Sequence, residues 1–349
     1  MTKNLEFGDG YMPRRLTRPK RNRVRTIIIV ALVMVLAAGL TSGGYVLNLA
    51  NTFNKQTQQL TNAFPEEETR PVKDPSDGSI NMLLMGIDSG TGKQAPTELL
   101  SHGGTGQRSD SLMFVHIPGD RSGVYVMSIV RDMWTEIPGH GMNKINAAMS
   151  FGGVPLVVQT VEGLFDTKID HVALIDFQGF RDLSTALGGV TVKNEIPFTA
   201  NDTDYFYPVG DLTLEGDRAL RFVRERKSFV NGDYQRVQNQ QKFIKAVIAK
   251  MLAADTLTNP TKIFEVIDKV SPYLTLDSGL DASAAAGIGL QLKGLRPKDV
   301  KMFTLPTLGS GKSADGQSIE LKDSAAIDAI GKAMRTDSLT KYLADNPPK

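Results

Sequence analysis

Five arginines fall between Asp217 and Gln241: Arg218, Arg221, Arg224, Arg226 and Arg236. They are interleaved with apolar Ala219, Leu220, Phe222 and Val223, more apolar surface than a solvated basic face normally carries. Guanidinium groups held partly out of water need anions, and their planar fork suits phosphate or carboxylate. Gly232 and Asp233 punctuate the run, and Asp233 is a good N-cap for a helix that brings Arg236 and Gln240 to one face. An anion pocket made from a helix end, a loop and a second helix start fits this pattern; so does a helix pair with a charged outer face. Further charges bracket three apolar runs. Asp88 follows INMLLMGI, Arg108 and Asp110 precede LMFVHI, and Arg131 and Asp132 follow VYVMSI. Two carboxylates can share a hard cation such as Mg2+ together with substrate phosphates. One aspartate at a strand end is usually a turn former or a cap. Three acids and two arginines at successive ends point toward a site.

The elements that must position these residues follow from the apolar patterning. Ile80–Ile87, Leu112–Ile117 and Val124–Ile129 are near-continuous apolar runs that read as buried strands. Val172–Ile175, Val190–Val192 and Val300–Leu305 continue the series. Helical patterns lie between them at Val154–Phe165, Phe177–Leu187, Glu215–Val223 and Asp233–Leu252, with weaker ones after Pro260 and Asp281. Strands alternating with helices predict an α/β fold, a sheet covered on both faces. Ligands in such sheets bind at the carboxyl ends of the strands. Asp88 and Arg131 share that edge if their strands run parallel. Asp110 joins them only if its own strand runs antiparallel, so the sheet must be mixed. Arg224 and Arg226 are two residues apart, and a regular helix cannot point both one way. The helix is therefore expected to end near Val223, with extended chain through Arg226. An unbroken helix through Lys227 would deny the shared anion.

Composition narrows the chemistry. A net charge of +2 argues against a general nucleic-acid coat, and the absence of cysteine excludes thiolate metal sites, a cysteine nucleophile and disulfides. The four histidines are scattered without metal-ligand spacing and read as structural or exposed. GIDSGTGK, Gly86–Lys93, has one residue too many for a phosphate loop, and Gln94 replaces the needed Ser or Thr. GSGKS, Gly309–Ser313, has Pro306 where the first glycine belongs. No nucleophile elbow occurs.

The N-terminal region reads as a topology signal. Residues 1–25 carry eight Lys or Arg against Glu6 and Asp9. Thr26–Ala50 has no charge and is long enough to cross a bilayer. The flanking positive charge places residues 1–25 in the cytoplasm and the rest outside. A cleaved signal peptide is the competing reading, but the apolar run continues past its small residues through Leu47. Residues 51–79, polar and aperiodic, read as a linker, and 80–349 as the globular domain.

Several segments resemble the LytR-CpsA-Psr (LCP) family of membrane-anchored cell-wall glycopolymer transferases. They are NMLLMGIDS (81–89), RSDSLMFVHI (108–117), VYVMSIVRD (124–132), IPGHGMNKINAAMSFGG (137–153), IDHVALIDFQGFRDLSTALGGVTV (169–192) and GDRALRFVRERKSFVNGDYQRVQNQQKF (216–243), in family order. The resemblance implies an α-β-α sandwich with a central mixed sheet, preceded by one transmembrane helix, and a polyprenyl chain in an apolar tunnel between sheet and helices. It implies that Asp88 and Asp110 hold Mg2+, with Mn2+ as the alternative ion. By the same match Arg108, Arg131, Arg224, Arg226, Arg236 and Gln240 bind pyrophosphate, and Arg131, Asp110 and Arg226 are the catalytic candidates. Val130 replaces a common proline and Gly90 a common basic residue, and Gly90–Gln107 is long and Gly-rich. The implied partners are a polyprenyl-pyrophosphate-linked glycan donor, a peptidoglycan acceptor and the membrane, with no nucleic acid. The competing classes are a pyrophosphatase using the same residues and a membrane-bound, non-enzymatic regulator. Against the last, the 25-residue basic tail shows no recognition-helix pattern.

Overall fold

A computed structural model describes residues 43–87, 97–104, 109–201, 203–230, 232–251, 253 and 259–347. The chain forms two compact units, Met1–Asn48 and Leu49–Lys349. Of the first, residues 43–48 are described and helical (α1). The expected membrane span falls mostly outside the described residues. Among these, Ala147–Phe165 alone is long and apolar enough to cross a bilayer, and most of its surface is buried in the core of the second unit.

The second unit is organised on a seven-stranded sheet. It uses β1 (Gln58–Leu60), β2 (Ile80–Ile87), β3 (Ser109–Ile117) and β4 (Val124–Ile129). A smaller sheet follows with β5 (Met133–Ile137) and β6 (Gly141–Lys144). Then come β7 (His171–Asp176), β8 (Val190–Asn194), β9 (Phe198–Thr199), β10 (Phe206–Tyr207) and β11 (Gly210–Leu214). The chain ends with β12 (Leu274–Asp277), β13 (Val300–Thr304), β14 (Thr307–Lys312) and β15 (Ser318–Lys322). The main sheet has the order β1-β12-β7-β2-β3-β4-β13. β7 and β2 are parallel, β3 is antiparallel to β2 and to β4, and β4 and β13 are parallel. The carboxyl ends of β7, β2, β4 and β13 thus share one edge with the start of β3. This is the mixed sheet the placement of Asp110 demanded.

Alternation along β2 sends Leu83, Met85 and Ile87 to one face and Met82 and Leu84 to the other. The first face packs on α3 (Ala147–Phe165) and the helix Ser324–Arg335, through Phe114, Met127, Val157, Phe165 and Ile330. The second packs on Ile244 and Ile248 of α6 (Gly232–Met251) and on Ile288 of the helix Ala282–Gln291. Helices cover both faces, so the expected sandwich forms. α3 kinks at Gly152 and Gly153, where Gly153 has φ +66° and a Cβ would meet the Leu100 carbonyl of α2 (Thr97–His102) at 2.3 Å.

One expectation is corrected. Residues 51–79 are not only a linker: β1 is an edge strand, parallel to β12, with Leu60 and Ala63 buried in the main core. Its sequence, QQL, carries no apolar period because an edge strand of three residues buries little. The Gly/Ser stretch near 308–313 is β14, paired antiparallel with β15 across a bulge near Gly309. Small residues fit there because Gly311 lies against the Leu321 side chain, where a Cβ would approach 3.2 Å. Of the histidines, His116 is a structural group and His102 and His140 are exposed. His116 is buried and bonded to Asn81 Oδ1 at 2.8 Å, and burial lowers its pKa to about 4, so it is neutral at pH 7.

Candidate active site at the sheet edge

α5 (Gly216–Arg224) ends where the sequence required. Arg224 is its last residue, and Glu225 turns to extended backbone at φ −64°, ψ 132°. The apolar stripe Ala219, Leu220, Phe222 and Val223 is buried in a second core with Phe243 and Val247 of α6 and Phe198 and Tyr207 of the β9–β10 hairpin. That core anchors the helix end, so the arginines beyond it project from a fixed base. The last carbonyls of α5 have no partner within the helix and need donors. α6 supplies them: Asn239 Nδ2 donates to the Phe222 carbonyl at 3.3 Å and Gln240 Nε2 to the Val223 carbonyl at 3.4 Å.

Glu225, which the sequence reading passed over, holds the loop. It is 6% exposed. Its carboxylate accepts the Asn201 amide at 2.6 Å and the Arg226 and Ser228 amides at 3.0 Å each. Burial pushes its pKa up, but these donors outweigh burial and hold it below the usual glutamate value. α6 then starts against the loop: a Cβ on Gly232 would lie 2.4 Å from the Arg226 carbonyl oxygen. Glycine is required there by close approach.

A cavity of about 440 Å³ opens between the sheet and the helices α4 (Phe177–Ala186), α5 and α6. Its walls are apolar, with Leu84, Met113, Phe180, Phe243, Ile244 and Val247. Arg131, Arg224, Arg226, Arg236 and Gln240 line the same cavity. The structure therefore brings together five of the eight residues the sequence singled out. Arg236 is 5% exposed, and the Arg224 guanidinium lies 4.0 Å over the Phe177 ring. Arg131 follows β4, with Nε 3.7 Å from Asp132 Oδ2 and its carbonyl accepting the Asn146 amide at 3.2 Å. Asp88 and Arg108 lie outside the described residues. Asp110 is described in its backbone only. It is the extra residue of a bulge in β3, since Ser109 pairs with Ile87 and Ser111 with Gly86. Bulges recur beside active sites.

Of the remaining arginines, Arg218 is a surface residue. It donates to the Phe206 carbonyl at 3.1 Å and lies over the Tyr205 and Tyr207 rings. Arg221 pairs with Asp217 at 3.6 Å, yet also lines a smaller cavity with Arg224, Arg226 and Lys227. Asp176 is a second acid the sequence reading missed. It is 2% exposed and lines the apolar cavity. Its Oδ1 caps α4 by accepting the Gly179 amide at 2.8 Å, and burial pushes its pKa up. Its only sequence signal was a position between a strand and a helix.

An apolar cavity with a cluster of guanidinium groups along it suits an amphiphile with an anionic head. The sequence model of the LytR_cpsA_psr family matches residues 44–336. The chain belongs to the LytR-CpsA-Psr family. It is 28% identical over 330 residues to the polyisoprenyl-teichoic acid–peptidoglycan teichoic acid transferase TagU of Bacillus subtilis, covering 92% of this chain and 99% of that one. The Bacillus mycoides TagU is 31% identical over 251 residues, 71% of this chain and 78% of its own. Among solved structures, TagT bound to LI-WTA superposes with a TM-score of 0.60 at 26% identity, covering 77% of this LCP chain and 94% of TagT. Bacillus subtilis TagV shares the fold, with a TM-score of 0.62 at 24% identity over 76% and 98% of the two chains.

Proposed function

We propose that this LCP protein moves a glycopolymer from a polyprenyl-pyrophosphate carrier to peptidoglycan, joining them by a phosphodiester bond. The observation that carries the reading is the meeting of Arg131, Arg224, Arg226 and Arg236 on one apolar cavity. The cavity takes the prenyl chain and the arginines take the two phosphates. A hydroxyl of the wall glycan attacks the sugar-bearing phosphorus and polyprenyl phosphate leaves. Such transfer needs mainly positioning and neutralisation of developing charge. Arg131 and Arg226 hold the reacting phosphate, while Arg224, steadied on Phe177, and Arg236, fixed in α6, bind the pyrophosphate. Gln240 supports the end of α5 and adds a polar group to the same wall.

Asp88 and Asp110 would hold Mg2+ or Mn2+. The bulge in β3 brings the Asp110 backbone to the edge where β2 ends, which supports this reading, and two aspartates would supply the hard oxygen donors such an ion prefers. The ion would draw charge from the phosphates. A metal-bound carboxylate is a poor base, so Asp110 serves as a ligand rather than a proton acceptor. Arg108 joins the phosphate-binding set by its position before Ser109 and Asp110. Residues 26–50 anchor the protein in the cell membrane with residues 1–25 inside and the domain outside.

The test uses membranes carrying the full chain, a polyprenyl-pyrophosphoryl glycan and isolated peptidoglycan. The wild type should yield glycan linked to the wall through phosphodiester. Arg131→Ala and Arg226→Ala should each lose about 100-fold or more of the rate while remaining folded. Near-normal transfer by both variants would refute the arginine assignment. Release of free glycan phosphate at the same rate with and without peptidoglycan would instead make the protein a pyrophosphatase. Removing residues 1–50 should move the protein to the soluble fraction; retention in the membrane would refute the anchor.

A further inference from the structure

Arg131 and Arg226 line a second cavity, of about 470 Å³, with a different character. The apolar cavity lies on the side of the sheet that α6 covers. The second is built from β6 and the start of α3, the helix that packs on the opposite face. Its walls include Asn143, Lys144, Phe151 and Gln317. Lys144 is set by Asp132, Nζ to Oδ1 at 3.5 Å. Phe151 is 42% exposed, and its ring is stacked on His140 at 4.5 Å between centroids and 14° between planes. A half-exposed aromatic ring, steadied on His140 and sharing one cavity with amide and ammonium groups, suits a sugar, which presents C–H bonds to the ring and hydroxyls or N-acetyl groups to the polar atoms.

We infer that this polar cavity seats the acceptor sugar of the wall glycan and presents its hydroxyl to the phosphate held by Arg131 and Arg226. The inference rests on the transfer reading and deepens it. In phosphoryl-type transfer the attacking and leaving oxygens lie roughly in line across phosphorus. The leaving group is polyprenyl phosphate, whose chain occupies the apolar cavity, so the attacker approaches from the other side of the shared arginines. The acceptor oxygen bonds to the sugar-bearing phosphorus and the bond from that phosphorus to the bridging oxygen breaks. Its electron pair departs on polyprenyl phosphate, and the hydroxyl proton goes to solvent. Phe151, Asn143 and Gln317 position the acceptor and make no contact with the lipid.

The experiment measures transfer from a synthetic farnesyl-pyrophosphoryl-N-acetylglucosamine donor to soluble peptidoglycan glycan strands, for the wild type, Phe151→Ala, Asn143→Ala and Gln317→Ala. For Phe151→Ala and Asn143→Ala the acceptor KM should rise about tenfold or more, with donor KM unchanged. Gln317→Ala should move the same constant in the same direction. Trp134, the single tryptophan, lies directly across from Lys144 and gives a second readout. Glycan strands alone should change its fluorescence in the wild type and much less in Phe151→Ala. Wild-type transfer with unchanged acceptor KM in both Phe151→Ala and Asn143→Ala overturns the acceptor site and leaves the transferase reading standing. No fluorescence response in the wild type also overturns it. A wild type that transfers nothing from this donor, or from a polyprenyl-pyrophosphoryl glycan, overturns the transferase reading and this inference with it.

Discussion

Glu225 shows how an acid serves a basic site. Its carboxylate accepts three backbone amides and fixes the turn between Arg224 and Arg226. Those amides lower its folded pKa. A carboxyl with a depressed folded value contributes stability that is present above the unfolded pKa, about 4.3 for glutamate, and lost as pH falls through the lower folded value. Glu225→Gln keeps the shape but weakens the acceptor. We expect its melting temperature to fall below wild type at pH 7, with the gap closing as pH drops below about 4. An equal gap at pH 7 and at strongly acid pH would show that the carboxylate charge contributes nothing. From sequence, Glu225 looked like one more charge in a charged run. Burial, which is a property of the fold, separates it from its neighbours.

At the scale of elements, the site depends on how α5, its loop and α6 meet. The spacing of Arg224 and Arg226 made the end of α5 legible, because helical geometry forbids both arginines one direction. The start of α6 was legible to within a residue: Asp233 was expected to cap the helix from outside, yet Gly232 is already helical and Asp233 falls in the first turn, and the glycine is needed because the Arg226 carbonyl lies where a Cβ would go. Gly232→Ala must push that carbonyl, and Arg226 with it. The expected cost is about 1–3 kcal/mol in stability. The expected loss in transfer is about tenfold or more, since small misplacements of a positioned group cost rate steeply. Urea unfolding and a transfer assay on one preparation check both. Normal stability with normal transfer would show that the loop can yield and that its position is not critical.

For the molecule as a whole, the sandwich was legible because β2, β3, β4, β7 and β13 of the main sheet lie under helices and read as apolar runs. β1 was not, since Gln58–Leu60 is short, polar and paired with β12 more than 200 residues later, where Thr275 Oγ1 donates to Gln58 Oε1 at 2.9 Å. The polar cavity was not legible either. Asn143, Phe151 and Gln317 come from β6, α3 and the β14–β15 turn, and only the packing of the smaller sheet beside Arg131 brings them together. The arginines of the apolar cavity were readable because they crowd into one stretch, with Arg131 added from a strand end. The account stands on those arginines gripping a pyrophosphate whose lipid fills the cavity beside them. A crystal structure of the protein with a polyprenyl pyrophosphate and Mg2+ tests this most directly. The account predicts both phosphates within hydrogen-bonding reach of Arg131, Arg224, Arg226 and Arg236, and the prenyl chain between Phe180, Phe243 and Val247. Phosphates bound away from Arg131 and Arg226, or a prenyl chain lying outside that cavity, would contradict it.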